Sequence, residues 1–193
     1  LGANRLGGNS LSDLLVFGKR AGEHAAAYVR GVGTAPRVDD RQADEERRLL
    51  QRPFDGGGRE NPFAMHEELQ EVMGTYAGIA RTGAQLEEGL QKVRDLQTRA
   101  AHLGAAGSRL FNPGWLTCRD VQFMLTVCEA IFRSAIERKE SRGAHWRLDF
   151  PDQDPAWGAQ NIIVSKGDGG MQVRTRPVPQ MPAELARLVR PGG

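Results

Sequence analysis

The sequence predicts a mainly α-helical protein that ends in a small β-hairpin. Three observations carry this. Three stretches between residues 61 and 140 repeat apolar side chains at three- and four-residue spacing, the connections between them are short, and two β-prone runs near the end flank the turn signal Gly167-Asp168-Gly169. The 193 residues are 39% hydrophobic and 26% charged, which allows a buried core and argues against a wholly disordered chain.

Residues 1–10, LGANRLGGNS, form a glycine-rich loop. From Leu11 to about Arg30 the chain is apolar on nearly every face, the pattern of a buried helix. Ser10 suits its N-cap, Asp13 three residues later approximates a capping box, and Gly31 and Gly33 supply a stop. Residues 36–58 turn polar, with Asp39-Asp40-Arg41, then Asp44-Glu45-Glu46-Arg47-Arg48, then Gly56-Gly57-Gly58; they read as a connector around a short solvated helix.

Asn61-Pro62 opens the next helix as cap and first-turn proline, and Met65, Leu69, Val72, Met73 and Tyr76 make its buried stripe. A second stripe follows at Leu86, Leu90, Val93, Leu96 and Ala100, ended by Gly104. A third runs from about Thr117 to Lys139 through Val121, Met124, Cys128, Ile131, Phe132 and Ala135. Three such helices with short connections predict a small antiparallel bundle. Beyond Glu140 a loop leads to a hairpin of residues 161–165 and 171–176, and a proline-bounded tail carries a short helix at 183–189. The expected division is 1–31, a 32–60 linker, a 61–140 bundle, and a 141–193 loop, hairpin and tail.

Composition excludes several functions. Lys and Arg number 26 against 24 Asp and Glu, and a net charge of +2 offers no general attraction for nucleic acid or anionic lipid. Cys118 and Cys128 stand ten apart, neither a disulfide framework nor a metal knuckle, so no metal site is expected and a reducing compartment fits. His24, His66 and His102 are scattered without metal-ligand spacing. No apolar run approaches the roughly 20 residues that span a bilayer, and no leader is visible. The chain opens on Leu1 where a natural start places Met, with glycines clustered there, so it reads as a piece of something longer.

The chemistry sits in Gly2-Ala3-Asn4-Arg5-Leu6-Gly7-Gly8-Asn9-Ser10-Leu11. Glycines let backbone approach a ligand closely, and the helix that follows would point its free N–H groups and positive dipole end at negative charge. Arg5 adds a cation whose planar fork suits a carboxylate. A capped helix after an ordinary loop explains a bare glycine pattern equally well, since this is not a GxGxxG fingerprint. The longer string changes the weighing. GANRLGGNSLSDLLVFGKRAG closely resembles the segment that closes the flavin-binding domain in the flavoprotein subunit of succinate dehydrogenase and fumarate reductase. A second stretch, Glu140-Ser141-Arg142-Gly143-Ala144-His145-Trp146-Arg147-Leu148-Asp149-Phe150-Pro151-Asp152, resembles the family's ESRGAH…R.DFP.RD stretch after its helical bundle.

The resemblance implies a fold: residues 1–31 as the closing loop and buried helix of an α/β FAD-binding domain, then the bundle and hairpin. It implies an activity: oxidation of succinate to fumarate by hydride transfer to FAD, with electrons passed to an iron–sulfur subunit and on through membrane anchor subunits to quinone. Arg5 then corresponds to the arginine that binds a substrate carboxylate, Ser10 and Leu11 to residues whose backbone meets the flavin ring, and Asn9 to their neighbour. No catalytic residue falls in this segment; the family's flavin-linking histidine and proton-transferring arginine are expected upstream of Leu1. The expected place is the cytoplasmic or matrix face of an energy-transducing membrane, held there by partner subunits.

The alternatives are fumarate reductase working in reverse, L-aspartate oxidase, whose loop reads nearer MASNS than Leu6-Gly7-Gly8-Asn9-Ser10, and a non-catalytic helical interaction module. Arg142 and His145, after a helix C-terminus, read as structural rather than as site residues.

Overall fold

The structure, a computed structural model, describes residues 9–55 and 58–186. In chain order it contains helices α1 (Asn9–Val32) and α2 (Asp40–Gln51), a 3-10 turn (Arg52–Phe54), helix α3 (Pro62–Tyr76), strand β1 (Ala80–Arg81), helices α4 (Gly83–Ala100) and α5 (Pro113–Glu137), strand β2 (Trp146–Arg147), helix α6 (Pro155–Gly158), strands β3 (Gln160–Gly167) and β4 (Gly170–Pro177), and helix α7 (Ala183–Ala186). The chain divides into two compact units, one of Leu1–Leu69 with Leu96–Phe123 and one of Gln70–Asp95 with Met124–Gly193.

In the first unit the starts of α3 and α5 accompany the end of α4, so consecutive helices alternate in direction. Met65, Leu69, Leu96, Ala100, Leu103, Cys118 and Val121 are buried here, each larger aliphatic contributing about 1.5–3 kcal/mol. Asn61 caps α3, its Oδ1 accepting from the N–H groups of Phe63 (2.9 Å) and Ala64 (3.2 Å). Asn112 does the same for α5, accepting from Trp115 N–H at 2.9 Å, with Pro113 as the first helical residue. The third helix therefore starts four residues before the expected Thr117, on the same Asn-Pro signal as α3. Arg99 ties the end of α4 to the start of α3: Nη2 donates to Glu60 Oε2 and Nη1 to Glu68 Oε2, both at 2.9 Å.

Helix α2 is capped by Asp39 and buries none of its side chains, as a solvated connector helix should. Helix α1 differs from expectation. It begins at Asn9, so Ser10 is its second residue rather than its cap, and its first turn holds no acidic side chain. It is also exposed along its length, with Leu14 at 68% and Leu15 at 75%. An all-round apolar helix is buried only when layers cover several of its faces, and among the described residues no element supplies them.

In the second unit the end of α3, the start of α4 and the second half of α5 meet at Gly89. A Cβ there would lie 2.5 Å from Phe132 Cζ and 2.6 Å from Tyr76 Cβ, so only glycine permits this approach. Leu86, Val93, Leu125, Cys128, Phe132 and Ala135 are buried in this unit. Along α5 the buried side chains are Cys118, Val121, Leu125, Cys128, Phe132 and Ala135, a strict alternation of three- and four-residue steps. Ile131, expected inside, falls one place off that stripe and is 40% exposed.

The hairpin forms where expected. Strands β3 and β4 pair antiparallel with Val164 opposite Val173, around Asp168-Gly169, and Gly170 at φ +113° closes the turn in a conformation that favours glycine. The tail helix is described over Ala183–Ala186; residues 187–189 of the expected helix lie outside the described residues.

Candidate functional site

Of the residues expected to hold substrate and flavin, Arg5 lies outside the described residues. Asn9, Ser10 and Leu11 are brought together as the first turn of α1. No acidic side chain stands in that turn to neutralise the positive end of the helix. Leu11 is 65% exposed. A helix end of this kind suits a group of negative charge.

The second signature stretch folds into a charged latch in the unit of Gln70–Asp95 and Met124–Gly193. Arg147, 2% exposed, turns its guanidinium on the C-terminus of α5: Nη1 donates to the carbonyls of Ala135 (2.7 Å) and Arg138 (3.3 Å). These are carbonyls that a helix end leaves without partners. Asp149 clamps the other side of Arg147 and accepts from the Gly83 N–H at 2.8 Å, which fastens the loop to the first residue of α4. The Arg147 guanidinium, with the Gly83 N–H, holds the Asp149 carboxyl well below the usual carboxylate range.

Glu140 is fully buried. Burial alone would push its carboxyl up. The guanidinium of Arg142, the Asp154 N–H (2.9 Å) and the guanidinium of Arg138 (2.6 Å) outweigh burial and bring it down to about 2. Arg142 also donates to the Asp154 carbonyl at 3.1 Å. His145 Nε2 lies 3.0 Å from the Arg138 carbonyl, an acceptor only, so Nε2 carries the proton. Burial pushes the ring below its ordinary value, the positive charges of Arg81, Arg138 and Arg147 add to this, and the hydrogen bond to the Arg138 carbonyl opposes it. Arg142 and His145 thus perform the structural work expected of them.

The thiols of Cys118 and Cys128 are buried and pushed up by that burial, which makes them inert packing groups. Among the described residues no cluster of His, Cys, Asp and Glu could hold a metal ion, and no helix is long and apolar enough to cross a membrane. The residue that sequence reasoning passed over is Arg81. It is half-buried in β1, beside Arg147 of β2, and its only sequence signal is a lone cation within a short run bounded by Gly78 and Gly83.

Comparison with known proteins gives a consistent result. Residues 66–189 match the family described as fumarate reductase flavoprotein C-term. The fumarate reductase flavoprotein subunit of Mycobacterium tuberculosis is 39% identical over 188 residues, covering 92% of this chain and 32% of that protein. Among solved structures, the Mycobacterium smegmatis Sdh1 complex in its apo form is 40% identical with a TM-score of 0.83, over 98% of this chain and 34% of its counterpart. A quinol–fumarate reductase solved with menaquinol molecules is 31% identical with a TM-score of 0.84, over 92% of this chain and 32% of its counterpart. The chain therefore spans about a third of the length of the relatives it matches.

Proposed function

The chain belongs to the succinate dehydrogenase and fumarate reductase flavoprotein family, and from that premise we propose that it is the C-terminal part of a flavoprotein subunit that oxidises succinate to fumarate. The observation that supports this reading is the order of a glycine-rich, arginine-bearing stretch of sequence and a long helix whose first turn carries no acidic side chain. Residues 1–31 would close the FAD-binding domain of that longer protein, residues 61–140 form its helical domain, and residues 141–193 its closing loop, hairpin and tail.

FAD, when bound, takes up the hydride that succinate gives up. The residues present fit it: backbone N–H groups at Ser10 and Leu11 would face the ring edge, and the helix behind them favours its negatively charged reduced form. Arg5 binds and orients a substrate carboxylate through its two-pronged fork. The exposed apolar faces of α1 are covered by the rest of the flavin domain in this reading, which accounts for an apolar helix that this chain leaves bare.

The partners of the reading are an iron–sulfur subunit, which takes the electrons through its clusters, and membrane anchor subunits that deliver them to quinone. A solved relative is described as a quinol–fumarate reductase with menaquinol molecules, which supports a quinone as the distant electron partner in this reading. The place is the cytoplasmic or matrix side of an energy-transducing membrane. The same residues serve fumarate reduction, for which the M. tuberculosis relative is named, and the potential of the electron carrier sets the direction.

The test is optical. The longer protein that carries this chain should purify with FAD whose absorbance is bleached by succinate and restored by fumarate. Flavin that succinate leaves oxidised, in a protein reduced normally by dithionite, would contradict the reading.

A further inference from the structure

We propose that the cavity at Arg81 binds a small organic carboxylate that carries an apolar body. The inference stands on the geometry of the Gln70–Asp95 and Met124–Gly193 unit and does not rest on the flavin reading.

The cavity has a volume of about 610 Å³, within the roughly 300–1,000 Å³ typical of small-molecule sites. Arg81, Arg138, Arg142 and His145 line it together with the apolar side chains of Ile131, Trp157 and Ile162. Among the described residues that line it, none is a carboxylate. The neighbouring cations are already engaged: Arg138 and Arg142 share the carboxylate of Glu140, and Arg147 holds Asp149.

Arg81 is the exception, because among the described residues it has no carboxylate partner. Its Nε donates to the Gly78 carbonyl at 2.7 Å, which fixes the plane of the guanidinium. Its Nη1 lies 3.4 Å from His145 Nδ1. Since Nε2 of that ring donates to the Arg138 carbonyl, Nδ1 presents a lone pair, and the neutral ring orients Arg81 without neutralising it. Among the described residues Nη2 has no acceptor, so both of its N–H groups remain for a ligand.

One unneutralised, oriented guanidinium matches one negative charge, and a planar fork matches a carboxylate. The apolar wall selects further. Burying Ile131, Trp157 and Ile162 against a ligand gains free energy only if the ligand has an apolar part, which disfavours a fully hydrated inorganic anion.

The test uses hexanoate as the probe, titrated calorimetrically into the longer protein as purified. Hexanoate should bind, hexan-1-ol and inorganic phosphate should bind at least tenfold more weakly, and Arg81→Gln should weaken hexanoate at least tenfold. Val127→Glu, a substitution at an exposed position on the cavity wall, sets a carboxylate beside the cavity without touching the hydrogen-bonded network, and should weaken hexanoate by a similar factor even if Arg81→Gln fails to fold. Arg5→Gln should leave the hexanoate affinity unchanged. The proposal is overturned if hexanoate does not bind, if phosphate binds as tightly, if Val127→Glu leaves the affinity unchanged, or if only Arg5→Gln abolishes binding.

Discussion

The guanidinium of Arg147 and the carboxylate of Asp149 meet as a two-pronged pair, Nε to Oδ1 and Nη2 to Oδ2, each at 2.8 Å. The same guanidinium caps the end of α5, so a single side chain joins a helix terminus to the loop that follows it. Replacing it strips the carbonyls of Ala135 and Arg138 of a donor and leaves Asp149 without its cation. Arg147→Met should lower the unfolding free energy by about 3 kcal/mol, read as a lower urea midpoint at unchanged slope. A midpoint equal to that of the parent protein would show that the latch adds nothing to stability.

Glu140 sets a pH dependence. Its carboxyl stands at about 2 in the folded protein against an ordinary 4.5, so the native state favours the ionised form. The stability it contributes is complete above about pH 4.5 and is lost as the pH falls through the interval down to about 2. Glu140→Gln should flatten the fall in stability across that interval, measured by denaturation at a series of pH values. Parallel curves for the two proteins would contradict this.

Gly89 tests the helix crossing. A side chain there must displace Phe132 and Tyr76, and Gly89→Val should destabilise by about 1–3 kcal/mol through overpacking. Gly89→Val with Phe132→Ala should recover part of that loss in a double-mutant comparison, because the second change vacates the space the first one needs.

The sequence made the helical stripes and the hairpin legible because each element carries its own period and its own punctuation. Asn61-Pro62 marked a helix start and so did Asn112-Pro113, yet the second was passed over because its apolar stripe begins only at Cys118. The exposure of α1 was not legible, since an all-round apolar helix predicts burial but does not name the surface that covers it. The latch was legible as a motif and not as a mechanism. No local pattern says that Arg147 will reach back to Ala135, or that Glu140 will hold Arg138 and Arg142 together, because those bonds depend on how the loop folds over the helix end. Arg81 escaped for the same reason: its partner His145 lies 64 residues away.

The 193 residues by themselves should hold no flavin, because the chain spans about a third of its relatives and on the proposed reading offers one edge of the site without the sheet that carries the adenosine end. Gel filtration of the isolated chain with added FAD checks this, and flavin absorbance co-eluting with the protein would count against it.

On the proposed reading, Arg5 binds a substrate carboxylate beside a flavin whose ring edge faces Ser10 and Leu11. The most direct measurement is dicarboxylate affinity in the longer protein carrying Arg5→Lys, with FAD content determined on the same sample. Succinate and fumarate should bind at least tenfold more weakly while FAD remains at the parent level, since lysine keeps the charge and loses the fork. Unchanged dicarboxylate affinity at full FAD content would contradict it.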